Sequence, residues 1–592
     1  MSRRETFVSE FSILAARKKL VYRILESVLG VSSLVFLVLL LILSLGWPTV
    51  AAVFLIVYSF FWLLRVTSIC LYTIYSYKNL KRWESFNLPQ ILASFDQGLD
   101  QAKAELLSIQ KKYSQSLDWK WHLQQDINYL PELANTKFSK PNQIVHIPIF
   151  SVYNESPEIL IRSLEAIYKS GYDLTKIIVF VTQEARVGKL PNQQFRQVIN
   201  QLDWVNAAHL NETNLDLVYR QNHFTDLKEY THPEFAQFQI KSNQLNLIFT
   251  EHPDGLTGEI KGKASNEDWA GRQASLFVQT QNLDPELVLI TSLDVDSRVG
   301  KNFFHLLSLR FCLTPDRLQC GFQPIPVYSN NFFNTGLIPR LIATQTTLYQ
   351  FSQNVLEEEA ALFANYSVPL VTLRQVNFWV REGIAEDYLL FAKCYLHFGS
   401  HFRVIPFYGI FEGDAVEADD YLEAITNQYK QLQRWSWGGV ESFPYLVYNL
   451  FFSSHRPVIP LTKKMAKVWS LFSNHLFWAT TPIIFSLGVF LPGWFGGEAF
   501  KSTPTGQSLA NFSSIFATIS LIFLSTFTYI TFQYIAPKAK PQSKLSYADL
   551  FRITAQWLAS PILYGLMSVP ALDSQLRGVL GKYLGYWVTP KK

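Results

Sequence analysis

Charged residues are scarce in this chain. They make up 17% of its 592 residues, against 48% hydrophobic and 15% aromatic. That balance excludes an ordinary soluble globule and points to a membrane protein with a sizeable soluble part. Cysteine is scarce too: Cys70, Cys312, Cys320 and Cys394 are the only four, and none is spaced as a zinc-binding pair. No disulfide framework is visible, so core packing in a reduced compartment is the expected role of each. No lysine or arginine run implies nucleic acid, and the net charge of +5 is small for this length. Nucleic acid is therefore excluded as a partner, and the excess reads as juxtamembrane. The chain also lacks internal repeats and low-complexity tracts.

The longest local absence is of charge itself. From Ser27 to Leu64 there is no charged residue. That is too long for one membrane crossing and suits two of ~20 residues each, with Gly46-Trp47-Pro48 as the turn. A signal peptide is the alternative, but its apolar core would be shorter and followed by a small-residue cleavage site. The hairpin, residues 27–72, follows a basic N-terminus, 1–26, and returns through Arg65 to Lys78, Lys81 and Arg82. The positive-inside rule makes both flanks cytosolic. Residues 77–140 read as a helical connector. Towards the other end, 443–465 is expected at the membrane interface, and 466–572 carries three apolar segments, Val468–Gly497, Asn511–Ala536 and Ile553–Leu572. Two crossings plus three would put the tail, 573–592, outside. Yet the tail is basic, so a cytosolic tail is expected, with Ile553–Leu572 and its prolines, Pro561 and Pro570, re-entrant or lying along the interface.

Between the apolar ends, 141–442 has the character of an α/β domain. Ile144–Phe150 reads as a strand, Pro157–Ser170 as a helix stopped by Gly171, and Lys176–Val181 as a second strand. Strand, helix, strand at this spacing is a unit of a parallel sheet, where ligands bind beyond the carboxyl ends of the strands. The turns at Tyr153-Asn154-Glu155 and Thr182-Gln183-Glu184 are therefore candidate ligand loops. A buried strand, Leu287–Leu293, ends in Asp294-Val295-Asp296. Alternation puts both carboxylates on one side, where hard oxygens suit Mg²⁺ or Mn²⁺ held with a phosphate; a plain turn is the alternative. Gly258 to Asn266, with Lys261 and Lys263, is a candidate diphosphate loop. Glu386-Asp387 open an apolar helix, where acids also simply suit the dipole. Gln431, Arg434 and Trp435 share one helical face, an unusual set for a position that normally packs aliphatic residues.

In this order the pieces resemble the membrane-bound glycosyltransferases of family 2, which include cellulose and hyaluronan synthases. The resemblance covers about 141–440. Tyr153-Asn154-Glu155 looks like the family's first nucleotide-binding loop, with Ser151 where a proline is usual. Lys263-Ala264-Ser265-Asn266 looks like its diphosphate loop, Asp294-Val295-Asp296 like its Asp-x-Asp metal motif, and Ala385-Glu386-Asp387 like its Thr-Glu-Asp motif with alanine for threonine. Gln431-Leu432-Gln433-Arg434-Trp435 matches Gln-x-x-Arg-Trp without departure. The Asp-rich end of the second strand is missing; Glu184 is the candidate substitute. Tyr586 to Lys591 looks like a cytosolic Trp-x-x-Thr-Pro-Lys stretch of related synthases.

The resemblance implies a GT-A type nucleotide-sugar-binding domain with transmembrane helices at both ends, in the cell membrane as a multi-pass protein with its catalytic domain cytosolic. It implies a donor held by Tyr153, Asn154, Glu155, Glu184, Lys263, Asn266, Asp294, Gln431 and Arg434, and Mg²⁺ or Mn²⁺ on Asp294 and Asp296. Asp387 is then the general base with Glu386 beside it, and Trp435 binds the acceptor. The acceptor is a growing polysaccharide or, alternatively, a polyprenyl-phosphate lipid; an accessory subunit is compatible with either. A degenerate domain serving as a scaffold is a third reading, against which the intact acids and Trp435 speak.

Overall fold

The computed structural model describes residues 12–113, 115–134, 139–210, 233–355, 360–453, 458–541 and 544–589. Its centre is a mixed nine-stranded sheet: β1 (Val145–Val152), β2 (Ile178–Glu184), β3 (Val205–His209), β4 (Leu245–His252), β5 (Val288–Leu293), β6 (Arg298–Val299), β7 (Cys320–Val327), β8 (Tyr366–Pro369) and β9 (Arg403–Glu412). Their order is β3-β4-β2-β1-β5-β8-β7-β9-β6. The first five in that order pair in parallel, and β8 turns the sheet antiparallel at β5.

These strands are apolar on both faces, as parallel strands under helices must be. Val179 and Val181 enter one core with Ile159, Leu160 and Leu164, while Ile178 and Phe180 enter the other with Trp269, Ala270 and Phe277. The first layer includes α3 (Pro157–Tyr168); the second is α4 (Lys263–Thr280), which is buried along most of its length. From β1 the chain moves to β2 on one side and later returns to β5 on the other. This reversal opens a crevice beyond the carboxyl ends of β1 and β5. Phe150 pairs with Leu293, so the turns that follow both strands start at the same level.

The apolar N-terminal hairpin is α1 (Leu20–Gly46) and α2 (Pro48–Glu84), both long and apolar enough to cross a membrane. The far end of α2 enters the domain core through Leu80 and Trp83. The remaining helices used below are α5 (Phe303–Leu313), α6 (Leu337–Gln353), α7 (Glu386–Phe398), α8 (Tyr421–Phe451), α9 (Leu461–Ser486), α10 (Pro504–Ile530) and α11 (Tyr547–Leu580). Among the described residues, α9 and Gly488–Lys501 count as a third span only if taken together across a 49° bend.

Several boundaries differ from the sequence-based expectation. Strand β2 runs on through Thr182, Gln183 and Glu184, because pairing with β4 extends to Glu184 and His252. Lys263 to Asn266 is the first turn of α4 rather than a loop. Helix α8 continues across 443 to Phe451, with Phe443, Tyr445 and Leu446 buried against α1 and α9 residues. Helix α11 passes unbroken through Pro561 and Pro570. It ends at Gly581, whose φ of 67° supplies the left-handed C-cap, and residues 582–589 then run back towards the crevice.

Candidate active site

The ends of β1, β2 and β5 deliver side chains to the crevice. Tyr153, Glu155, Glu184, Lys263, Asn266, Asp294, Asp296, Gln431, Arg434 and Trp435 all line one pocket. Asn154 is not among its lining residues. Glu386 and Asp387 lie one layer behind, joined to it through Lys263 and Ala364.

Lys263 is the hub. Burial at the start of α4 leaves its side chain 9% exposed, and its Nζ lies 2.9 Å from Asp294 Oδ1 and 2.9 Å from Glu386 Oε1. It also donates to Ala364 O at 3.1 Å, with Glu267 Oε1 at 3.7 Å. One buried cation among three acids satisfies the requirement that buried charge be paired. Glu267 itself is pushed up to about 8, first by burial, against the pull of Lys263; Ser292 Oγ donates to it.

The two aspartates are fixed from the backbone. Asn365 Oδ1 accepts the Asp294 N–H at 2.8 Å, and its Nδ2 donates to Ser297 Oγ at 2.6 Å, clasping the turn. Asp296 is buried, and its Oδ2 accepts the Asp414 N–H at 3.2 Å. The Asp294 side chain is 36% exposed towards the pocket. Two hard carboxylates facing one pocket fit Mg²⁺ or Mn²⁺. Among the described residues no cluster of three or more His, Cys, Asp or Glu could hold a metal, so further ligands would come from substrate oxygens and water.

Asp387 begins α7. Its Oδ2 accepts the Ala364 N–H at 2.9 Å and its Oδ1 the Tyr388 N–H at 2.7 Å. Burial, then the neighbouring Glu386, push this carboxyl up to about 7, outweighing both hydrogen bonds and Lys263. A carboxylate poised near neutrality can take a proton from a hydroxyl.

At the end of the pocket beside β2, Arg186 pairs with Glu184 and lies 4.0 Å over the Tyr153 ring. The Tyr153 N–H donates to Glu155 Oε2 at 2.8 Å. Asn266 Nδ2 donates to Thr182 O at 3.3 Å, tying α4 to β2. On α8, Gln428 donates to Gln431 at 2.9 Å, and Trp435 meets Phe363 edge-on at 6.4 Å.

Sequence reasoning missed two site residues. Tyr328 lines the pocket, and burial, with Asp294 and Asp296 near, raises its phenol well above the ordinary range. Tyr586 arrives from the tail: Arg434 Nη1 donates to its hydroxyl at 3.0 Å, and the guanidinium sits 5.2 Å from its ring. Val588 and Thr589 line the pocket beside it. The Tyr586–Lys591 stretch was visible in the sequence, but its place over the pocket follows only from the path of α11.

Residues 289–533 match the family model described as Glycosyl transferase family group 2. The match takes in Asp294, Asp296, Glu386, Asp387 and Gln431 to Trp435; Tyr153, Glu184 and Lys263 lie before it. Among curated proteins, none matches the chain. Solved structures that resemble it include the mannosyltransferase PcManGT from Pyrobaculum calidifontis in complex with GDP-Man and Mn²⁺, at 13% identity and a TM-score of 0.38 over 78% of this chain and 96% of that one. Another is S. aureus TarS 1–349 in complex with UDP-GlcNAc, at 12% identity and 0.29 over 70% and 91%. Likeness at that level carries no argument for this chain. The family match covers the stretch that holds both acid pairs and the Gln-x-x-Arg-Trp face, and likens that part of the chain to glycosyltransferases of family group 2.

Proposed function

We propose that this protein is an inverting, metal-dependent glycosyltransferase that moves a sugar from a nucleoside diphosphate donor, UDP being favoured, to a growing polysaccharide at the cytosolic membrane face. The observation that carries the reading is the convergence of Lys263, Asp294, Asp296, Arg434 and Trp435 on one pocket at the β1/β5 reversal.

The roles follow from the chemistry of each group. Tyr153 and Glu184 take the nucleoside end, with Asn154 and Glu155 shaping the turn. Lys263, Asn266, Gln431 and Arg434 face the diphosphate, where fixed cations stabilise the charge that develops on the leaving group. Asp294 and Asp296 would hold Mg²⁺ or Mn²⁺, which supplies further neutralisation of the diphosphate. Asp387 accepts the acceptor hydroxyl's proton as that oxygen attacks the anomeric carbon and the bond to the diphosphate breaks. One displacement inverts the centre. Glu386 pairs with Lys263 and keeps the base's surroundings anionic. Tyr586 occupies Arg434 here, so it moves aside before a diphosphate reaches the guanidinium.

The polymer reading is supported by Trp435, whose ring can stack on a sugar, and by α8. This helix runs from the pocket into the apolar bundle, where a Cβ on Gly439 would fall 2.4 Å from the His475 ring of α9. The crossings at both ends, a cytosolic tail and any accessory subunit belong to the same proposal. The test is the size distribution of labelled product made by full-length protein in nanodiscs under limiting enzyme. Long chains without released short intermediates are expected. A single lipid-linked product of fixed size would instead establish the polyprenyl-phosphate acceptor.

A further inference from the structure

Helix α7, which opens with Glu386 and Asp387, has no side-chain cap of its own. Its N-cap is Ala385, which offers no oxygen to the backbone N–H groups at the helix start. The turn that leads into the helix is held instead by a carboxylate from another element. Glu441 Oε2 accepts the Ile384 N–H at 2.7 Å and the Ala385 N–H at 3.2 Å. Glu441 lies on α8, two turns beyond Arg434 and so on the same face. It is 2% exposed, which makes it a charge that needs a partner.

The partner comes from the opposite end of the chain. Arg17, ahead of α1, places Nη2 3.4 Å from Glu441 Oε1 and Nε 3.0 Å from Glu26 Oε1. Burial works against its charge, but Glu441 and Glu26 more than offset that. Arg17 also lies 3.9 Å from the ring centre of Tyr583 in the tail, whose hydroxyl accepts from Arg23 at 2.8 Å. The same N-terminal segment grips the catalytic loop a second time: Ser12 Oγ donates to Glu382 Oε1 at 2.8 Å, and the Leu14 N–H to Glu382 Oε2 at 3.1 Å. Residues 382–385 are thus held between α8 and the segment preceding the first membrane helix.

We infer that Glu441 and Arg17 are positioning residues for the Glu386–Asp387 pair, and that the N-terminal segment is part of the catalytic unit. This rests on the transferase reading above. An ion pair that merely held two helices together would have no reason to spend its carboxylate on two successive N–H groups of the loop before Glu386.

The experiment compares Glu441→Gln, Arg17→Met and Arg17→Lys in full-length protein in nanodiscs. Two readouts are taken: hydrogen exchange of the peptide spanning Ile384 to Asp387, and kcat and KM for the donor. In Glu441→Gln and Arg17→Met, exchange of that peptide should speed about tenfold while peptides of α4 and β5 stay unchanged. Values of kcat should fall about tenfold or more with KM within about threefold. Arg17→Lys should recover most of both. Unchanged exchange and kcat in Arg17→Met would overturn the inference, as would exchange rising throughout the domain with donor binding lost in step. If Glu441→Gln fails to fold, the two Arg17 variants decide. If the wild-type protein turns over no nucleotide sugar, the exchange readout still decides the positioning claim, and only the transferase reading falls.

Discussion

Two carboxyls at the site titrate near neutrality for the same cause, burial. Asp387 is pushed up to about 7 and Glu267 to about 8. Asp387, one layer behind the pocket, is the proposed base, and as a base it must be ionised. Its folded value lies above that of a free carboxyl, so the active form is lost as pH falls through about 7. The expected kcat profile therefore rises through that pH and flattens above it. Asp387→Asn should lower transfer by roughly 10²–10⁴-fold while nucleotide binding survives. A wild-type profile flat from about pH 5 to 8 would remove the base from this position.

Lys263 supports a different prediction at the same scale. Its ammonium is shared by Asp294, Glu386 and, more distantly, Glu267. Replacing it with methionine keeps much of the volume but leaves those acids uncompensated. A loss of ~3–5 kcal/mol of stability is expected, read as a lowered Tm in detergent. The loss should shrink as pH falls and the acids protonate. A Tm equal to that of the wild type would mean the acids do not depend on the lysine.

Among the elements, the tail does what composition could not announce. Gly262 makes room for it: a Cβ there would lie 2.7 Å from Cγ of Tyr586. Gly262→Ala should push Tyr586 off Arg434 and uncover Thr589, which is 7% exposed. In a Thr589→Cys background, thiol labelling should become several-fold faster with the added alanine. The four native cysteines are buried and will not compete. Because Tyr586 touches Arg434, the tail and the α/β domain are expected on one side of any bilayer. A cysteine appended after Lys592 should be modified from the same side as one placed at Lys189 on the domain surface, and opposite-side labelling would contradict the path of α11.

Elements also show what the sequence could and could not convey. Asp294 and Asp296 were legible because a short apolar strand ending in two acids leaves little freedom about where those acids point. Gln431, Arg434 and Trp435 were legible because helical spacing alone puts them on one face. The extension of β2 through Glu184 was not, since Thr182 and Gln183 look like turn residues until β4 pairs with them. Lys263 looked like part of a loop because glycines precede it, yet the chain turns helical at that residue. Tyr328, Glu441 and Tyr586 were out of reach: each joins the site through packing between segments distant in sequence, which no local pattern encodes.

For the molecule as a whole, the apolar hairpin and the domain pack as one body. Helix α2 leaves the apolar hairpin and buries Leu80 and Trp83 in the core that also holds β1 residues. Helix α8 runs from Arg434 and Trp435 to a buried stretch against α1, α9 and α11. The central claim is chemical, however, and is tested most directly by release of nucleoside diphosphate. Purified wild-type protein in nanodiscs with Mn²⁺, given a panel of labelled nucleotide sugars, should release diphosphate from at least one of them. Asp296→Ala, folded to the same extent, should release none above background. No release from any donor, or equal release by Asp296→Ala and in excess EDTA, would contradict the account.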